Sequence, residues 1–261
     1  MIYVCVAAKD NAGTVGLLLW KIRQVFGEST REYQLLVADD GSTDETPDVL
    51  QRYQRALPLT VVRPASSGAA ASFAALLQEA IRRSDRLKRD TAVLIPGDFR
   101  LSPDGVPELL RRIESGADLV VAETPVEGLP WAWRFLRRLT PWLLRPNVRV
   151  AGVRDFLSGC LAVRLVSARG ALRDHADGLP VETDGLAARA ELVIRLAAAA
   201  RQIATVPLPP LGAPTAPATG AFALAMRLRR LGRTLRLPSA PPKTSGVDAP
   251  APTPPVRSRA S

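Results

Sequence analysis

The sequence is poor in the residues that build several kinds of functional site. It contains two cysteines and one histidine among 261 residues. Cys5 and Cys160 are too few for a disulfide framework or a cysteine-based metal site, and they fit a reducing compartment. The single histidine, His175, gives no histidine-based metal site, and no Ser-His-Asp triad can be assembled from motif spacing.

Long apolar runs and acidic residues are also scarce. No stretch approaches the roughly 18 uninterrupted apolar residues of a spanning helix, and the start Met1-Ile2-Tyr3-Val4 has no basic leader segment. We therefore expect a cytoplasmic protein that is at most peripheral to a membrane. The 35 Lys and Arg residues exceed the 25 Asp and Glu residues, mainly in the second half of the chain. This excess predicts a basic surface for a partner.

Short apolar runs alternate with longer segments of helical periodicity. Such alternation is typical of βα units that feed a mostly parallel sheet. The predicted strands are Ile2–Ala8, Gln34–Ala38, Leu59–Arg63, Ala92–Ile95, Leu119–Ala122, Leu161–Leu165 and Gln202–Pro207. The predicted helices are residues 13–26, 45–56, 69–84, 104–115, 184–200 and 221–237. We expect an α/β fold with a central sheet that is flanked by helices on both faces.

Composition divides the chain into three parts. Residues 1–208 carry the strand and helix pattern and are predicted to form one domain. Pro, Ala, Thr and Ser become frequent from about Pro209, so residues 209–238 are predicted as a linker that holds a basic amphipathic helix at about 221–237. Residues 239–261 are predicted to be a disordered Pro-rich tail.

The strongest motif is Asp39-Asp40-Gly41-Ser42-Thr43-Asp44, at the end of the second predicted strand. An open α/β sheet has its ligand crevice at that edge. Carboxylates there can accept hydrogen bonds from a base or a ribose, while Gly41 permits a tight turn and Ser42 or Asp44 can cap the next helix. By itself the motif fits an acidic turn with a helix cap equally well.

The motif and its distance from the first strand resemble the hallmark of family-2 glycosyltransferases. Arg63–Ala71 is similar to the Asn-x-Gly element of that family, and Leu94–Pro103 to its Asp-x-Asp metal motif. The acceptor region of dolichol-phosphate-mannose-synthase-like members resembles Leu143–Pro146 followed by Val153–Cys160. Their last helix and strand resemble Glu191–Arg195 leading to Gln202–Pro207. The resemblance covers about residues 1–208, and it implies a GT-A fold, with a Rossmann-like, mostly parallel sheet.

The resemblance also implies a function and a set of site residues. The function is transfer of a sugar from a UDP- or GDP-linked donor to a lipid-linked acceptor, such as a polyprenyl phosphate, at a cytoplasmic membrane surface in cell-envelope synthesis. The implied nucleotide-sugar-binding residues are Ala7, Lys9, Asp39, Asp40, Gly68, Asp98 and Arg100. The implied acceptor-binding residues are Arg138, Asp155 and Ser158, the implied catalytic residues are Asp98 and Asp155, and Asp98 would hold a divalent cation, Mg²⁺ or Mn²⁺.

Several positions depart from the family pattern. Pro96 stands where the metal motif has its first Asp, so Asp98 is the remaining carboxylate, and Arg100 either replaces part of the cation's charge or marks a loss of catalysis. The segment after the first strand lacks the usual aromatic residue and glutamate, and Lys9 there is either a phosphate ligand or an ordinary surface lysine. The alternative function is therefore a catalytically silent relative that binds a nucleotide or a lipid for another enzyme.

Asp155 also has two interpretations. It can orient or deprotonate an acceptor hydroxyl, or it can hold the backbone of the Ser158-Gly159 turn. A phosphate acceptor is already ionised and needs no strong base. An oxidoreductase is excluded, because residues 8–16 lack the Gly-x-Gly-x-x-Gly turn of a dinucleotide site.

Two basic segments without acidic residues predict contact with an anionic membrane. Leu129–Pro146 places three tryptophans among arginines, and Ala221–Leu237 has Leu224, Leu228, Leu231 and Leu235 on one helical face. The alternative is that the first segment packs on the core and that the second is a basic helix docked on its own domain. Neither segment forms a nucleic-acid-binding motif, so we expect no nucleic acid partner.

Overall fold

The structure is a computed structural model that describes residues 1–27, 30–64, 66–144, 150, 152–173, 183, 185–211 and 220–235. The strands are β1 Ile2–Ala8, β2 Tyr33–Asp39, β3 Leu59–Val62, β4 Thr91–Pro96, β5 Leu119–Glu123, β6 Leu161–Arg164 and β7 Ile203–Pro207. The helices are α1 Ala12–Gly27, α2 Thr46–Gln54, α3 Ala69–Arg83, α4 Val106–Glu114, α5 Trp131–Leu143, α6 Leu165–Arg173, α7 Leu186–Ala199 and α8 Ala221–Thr234. A short 3₁₀ turn, Pro103–Gly105, precedes α4.

The strands form one sheet in the order β3-β2-β1-β4-β6-β5-β7. All neighbouring pairs are parallel except the two that involve β6. The predicted α/β class with a mostly parallel central sheet is therefore confirmed. β6 follows β5 and α5 in the chain and lies antiparallel between β4 and β5.

Side chains alternate between the two faces of the sheet, as the pleat requires. Tyr3 and Cys5 of β1 point to the face covered by α3, α5, α6, α7 and α8. Val4 and Val6 point to the opposite face, which α1, α2 and α4 cover. Both faces are thus buried, and this explains why the strands read as continuous apolar runs.

The predicted membrane contact of the leucine face of α8 is wrong. Leu224, Leu228, Leu231 and Leu235 are at most 5% exposed, and they join the core that α5 and α7 also form. Burying a leucine side chain stabilises a fold by about 1.5–3 kcal/mol. A docked helix therefore leaves this face no area for lipid, and the remainder of α8, which carries the arginines, is exposed.

The Trp and Arg segment packs partly on the core, and its contact with a membrane stays a prediction. It forms α5, in which Trp133, Leu136 and Leu143 are buried in the core while Trp131 and Phe135 are exposed. Within the part of the chain that the structure describes, each helix is too short or too polar to cross a bilayer. His175, the predicted tail at 239–261 and most of the predicted linker outside α8 lie outside the described residues, so the division into three parts remains a prediction.

The contact between α8 and α5 depends on a glycine. A Cβ atom at Gly232 would lie 2.7 Å from the carbonyl oxygen of Leu144 and 2.8 Å from that of Leu143. We expect Gly232→Ala to lower the free energy of unfolding by about 1–3 kcal/mol, because the two helices must separate. Urea denaturation measures the change.

Gly13 provides the matched control, since it also lies in a helix but a Cβ there would meet no atom within 4 Å. Alanine favours a helix over glycine by about 1 kcal/mol, so Gly13→Ala is expected to leave stability unchanged or higher. Equal stability of the two variants would show that α8 does not pack on α5 through Gly232.

Candidate functional site

The carboxyl ends of β1, β2 and β4 meet at one edge of the sheet. In the parallel register Ala8 lies opposite Asp39, and Ala7 lies opposite Pro96. The chain leaves β1 towards β2 on one side and later returns to form β4 on the other. A crevice opens outside the strands where the strand order reverses in this way, and it is the usual ligand position in such sheets.

A cavity of about 570 Å³ lies in this crevice, and we call it the switch-point cavity. Five of the seven residues implied for nucleotide-sugar binding line it: Ala7, Lys9, Asp40, Gly68 and Asp98. Asp39 and Arg100 do not line it. Asp39 instead accepts hydrogen bonds from the N–H of Ser42 at 3.0 Å and from its hydroxyl at 2.6 Å, so it fixes the acidic turn.

Asp40 connects the end of β2 to the start of α3. One of its carboxylate oxygens accepts a hydrogen bond from the N–H of Gly68 at 2.7 Å, and the other lies 3.4 Å from Nζ of Lys9. Gly68 has a φ of 121°, a conformation that side chains with a Cβ rarely adopt. Asp40 is 7% exposed. The carboxylate is therefore held at the floor of the cavity, with Lys9 above it.

Asp98 lies after β4 in a loop with unusual geometry. Phe99 adopts a φ of 51°, which is uncommon for a residue other than glycine, and such strain tends to occur at functional sites. Oδ2 of Asp98 lies 3.5 Å from Nε of Arg100 and 3.8 Å from a terminal nitrogen of Arg189. The three charged groups leave a net positive charge at this point.

A second cavity of about 500 Å³ adjoins the first, and we call it the tryptophan cavity because Trp133 lines it. Its wall combines apolar side chains, such as Leu129 and Leu157, with Ser158 and Arg137. The two cavities share Pro96, Asp98 and Arg189. A molecule in one cavity would therefore meet a molecule in the other cavity at Asp98 and Arg189.

Asp155 lies beside the tryptophan cavity and is 4% exposed. One oxygen accepts hydrogen bonds from the backbone N–H groups of Leu157 and Ser158, at 2.9 and 3.2 Å. The other accepts from the N–H and the hydroxyl of Thr124, at 3.0 and 2.5 Å, and lies 3.2 Å from Arg137. Both oxygens are thus engaged, and this geometry favours the structural interpretation of Asp155.

The basic residue that meets Asp155 is Arg137, whereas the resemblance implied Arg138 as an acceptor-binding residue. Arg138 is exposed on the outer face of α5, in a groove with Trp131 and Phe135. Adjacent residues of a helix point about 100° apart, so the two neighbouring arginines face different sides of α5. The sequence did not distinguish which of the two neighbouring arginines faces the core.

Arg189 was not identified from the sequence. It lies in the first turn of α7, and its Nη1 donates to the carbonyl oxygens of Leu157 and Ser158, at 3.5 and 3.3 Å. Burial lowers the pKa of the guanidinium, and Asp98 opposes this effect. Because an arginine remains protonated in proteins even so, the group is a fixed positive charge.

The two cysteines take no part in the chemistry of the site. Cys5 and Cys160 are buried and unpaired by a disulfide. Burial raises the pKa of the Cys160 thiol to about 12 and raises that of Cys5 as well. Both thiols are therefore protonated at neutral pH and are poor nucleophiles.

The fold corresponds to that of GT-A glycosyltransferases of known structure. The crystal structure of glucosyl-3-phosphoglycerate synthase from Mycobacterium tuberculosis, with Mn²⁺ and UDP-glucose, matches with a TM-score of 0.61 and 20% identity, covering 92% of this chain and 80% of that one. The chain therefore has the GT-A fold that its sequence predicts.

The family follows from the sequence match. A family model described as Glycosyl transferase family 2 matches residues 3–170, so the chain belongs to this family of glycosyltransferases. It is 29% identical over 170 residues to an uncharacterised glycosyltransferase of Mycobacterium tuberculosis, covering 64% of this chain and 68% of that protein. It is 26% identical over 140 residues to a dolichol-phosphate mannosyltransferase of Pyrococcus furiosus, covering 51% of this chain and 38% of that protein.

The Mn²⁺ of the solved structure raises the question of whether the residues around Asp98 fit a cation. Mg²⁺ and Mn²⁺ prefer several oxygen ligands. This chain has one carboxylate there, an apolar ring at Pro96, and the guanidinium groups of Arg100 and Arg189. Among the described residues, no group of three His, Cys, Asp or Glu side chains could hold a metal ion. The residues do not fit a cation that the protein alone would hold.

Proposed function

We propose that this protein transfers a sugar from a UDP- or GDP-linked donor to a lipid-linked acceptor of the polyprenyl phosphate type. The observation that carries the proposal is the pair of adjoining cavities that share Asp98 and Arg189. A transferase needs its donor and its acceptor side by side, with the departing phosphate at their junction. Membership of glycosyltransferase family 2 supports the same reaction class.

The donor would occupy the switch-point cavity. Asp40 and the acidic turn that Asp39 fixes would bind the nucleoside, and Asp98 and Arg189 would lie near the diphosphate. Arg100, which lines the tryptophan cavity beside Asp98, would approach the diphosphate from that side. Negative charge develops on the leaving phosphate in the transition state, and fixed positive groups at that position lower the barrier. The net positive charge around Asp98 suits this role.

The acceptor would occupy the tryptophan cavity. Its apolar wall suits a hydrocarbon chain, while Arg137 and Ser158 suit an anionic headgroup. An oxygen of the acceptor phosphate would form a bond to C1 of the sugar as the bond from C1 to the donor phosphate breaks, and the nucleoside diphosphate would leave with the electron pair. No proton is removed in this step, in keeping with the engaged oxygens of Asp155.

The membrane would be the source of the acceptor, with the protein bound peripherally at the cytoplasmic surface. Trp131, Phe135 and Trp142 are exposed on one side of α5, and they alternate with exposed arginines. Aromatic rings and arginines together favour the headgroup region of a bilayer. The similarity to a dolichol-phosphate mannosyltransferase supports a lipid-linked acceptor.

The test is transfer of labelled sugar from a panel of UDP- and GDP-sugars to polyprenyl phosphate in vesicles, with and without Mn²⁺. We expect label in the organic phase with one donor class. We expect Asp98→Ala to reduce the rate at least about 100-fold, because its carboxylate holds the guanidinium groups of Arg100 and Arg189 that would face the departing phosphate. Asp48→Ala, an exposed aspartate on α2, is the control and should retain the wild-type rate.

The same assay tests the catalytically silent alternative. If no donor gives lipid-soluble label above the Asp98→Ala background under any metal condition, the proposed lipid-acceptor transfer is wrong. Nucleotide binding without transfer would then favour the silent relative, whose altered metal motif is its main support.

A further inference from the structure

The position of Arg189 suggests how the donor site neutralises phosphate charge, and this inference rests on the proposed function. The first aspartate of the metal motif is replaced by Pro96, whose ring is buried and has no polar atom to offer. The guanidinium groups of Arg100 and Arg189 instead lie beside Asp98. A positive charge therefore stands where the family uses a cation.

Gly159 makes room for Arg189. A Cβ atom there would lie 2.8 Å from Cδ of Arg189 and 3.1 Å from Cγ of Pro96, so the arginine stem and the proline ring both pack over this glycine. Gly159 also has a φ of 72°, which strains other residues. The hydrogen bonds from Arg189 to the carbonyl groups of Leu157 and Ser158 orient the guanidinium from the other side.

The guanidinium is thus fixed by contacts on its stem and its nitrogens, and it is accessible from both cavities. Arginine donates several hydrogen bonds in a planar fork that matches phosphate oxygens. We propose that Arg189, assisted by Arg100, binds the diphosphate of the donor in place of a divalent cation, so that the site binds nucleoside diphosphates without metal.

Isothermal titration calorimetry with UDP, GDP and their monophosphates tests the proposal, in EDTA and again with Mn²⁺. For the nucleotide that binds, we expect the same Kd for the diphosphate in both buffers. We expect Arg189→Gln, which keeps most of the stem over Gly159, to weaken diphosphate binding at least about tenfold while monophosphate binding changes little. A general loss of folding would weaken diphosphate and monophosphate binding equally. A change in the ratio of the diphosphate Kd to the monophosphate Kd therefore identifies a contact with the second phosphate.

Arg111→Ala is the matched control, since Arg111 is exposed on α4 and lines neither cavity. A second variant tests the exchange of charge directly. Pro96→Asp combined with Arg189→Gln restores two carboxylates and removes one guanidinium, so we expect Mn²⁺ to tighten UDP or GDP binding in this variant and not in the wild-type protein. Circular dichroism establishes that each variant is folded.

Two results would overturn the proposal. In the first, the wild-type protein binds the diphosphate more tightly in Mn²⁺ than in EDTA, and Arg189→Gln leaves the ratio of the diphosphate and monophosphate Kd values unchanged. This result would contradict the role of Arg189 and would be compatible with the transferase function. Failure of every nucleotide to bind in either buffer would contradict both this inference and the proposed function.

Discussion

Replacing Asp155 with alanine is expected to lower the free energy of unfolding by about 3–5 kcal/mol, the cost of removing one partner of a buried ion pair. The side chain of Asp155 is 5% exposed and that of Arg137 is 16% exposed, so water cannot easily replace the lost carboxylate. The backbone N–H groups of Thr124, Leu157 and Ser158 lose their acceptor at the same time. Urea denaturation of the two proteins measures the difference.

The effect on transfer distinguishes the two interpretations of Asp155. If it holds the cavity wall, Asp155→Asn should lower stability as well as the transfer rate, because an amide group cannot accept all of these bonds. If it is a general base, Asp155→Asn should lower the rate at unchanged stability and alter the pH profile of the rate. We expect the first result.

Two further variants control this experiment. Asp48→Ala removes an exposed carboxylate and should change stability by less than about 0.5 kcal/mol. Arg137→Leu added to Asp155→Ala should recover part of the lost stability, because the buried positive charge is removed as well. A loss below about 1 kcal/mol for Asp155→Ala would contradict the role of the network.

The second large effect concerns binding to anionic vesicles. Exposed arginines without an ion-pair partner among the described residues lie on α5 and α8, and four of them are Arg134, Arg138, Arg229 and Arg230. Each basic residue near an anionic surface contributes about 1 kcal/mol. Replacing all four with alanine is therefore expected to reduce the partition coefficient about 1,000-fold at low salt, since each 1.4 kcal/mol is a factor of ten. Co-sedimentation with vesicles measures it.

A variant of equal net charge is the control. The control arginines are exposed on the helices that cover the other face of the sheet or directly after them: Arg23 on α1, Arg52 on α2, Arg55 just after α2, and Arg111 on α4. Their replacement by alanine should reduce vesicle binding far less. Similar losses in both variants would show that net charge, and not this surface, drives the binding.

The aromatic residues have a control of the same kind. Trp131→Ala should weaken vesicle binding, and Trp20→Ala should not, although both tryptophans are more than half exposed. Trp20 lies on α1, on the opposite face of the sheet from α5. Added salt should weaken the arginine contribution by screening and leave the tryptophan contribution in place.

The sheet was largely predictable from the sequence, because strands buried on both faces read as short apolar runs between helices. β1 begins and ends where predicted, and the other strands differ by at most one residue at each end. Helices α5 and α6 were not predicted. The segment that forms α5 mixes tryptophans with arginines and has Pro141 inside the helix. Leu165 was predicted to end a strand, but it begins α6.

The candidate site was only partly predictable, for a physical reason. Asp40 and Asp98 follow strands that end at one edge, so the order of strand and motif is enough to bring them together. Arg189 lies in a helix distant in sequence from Asp98, and no local pattern distinguishes it from a surface arginine. Only the packing of α7 on the sheet brings its side chain to the site.

Helix α5 has the wall of the tryptophan cavity on one side and exposed aromatic rings on the other. With the outer side in the headgroups, an acceptor would reach Arg137 by lateral diffusion within the leaflet. The encounter would then be two-dimensional. Turnover would follow the mole fraction of acceptor among the surrounding lipids, and diluting the acceptor with inert lipid at constant bulk concentration would slow the enzyme.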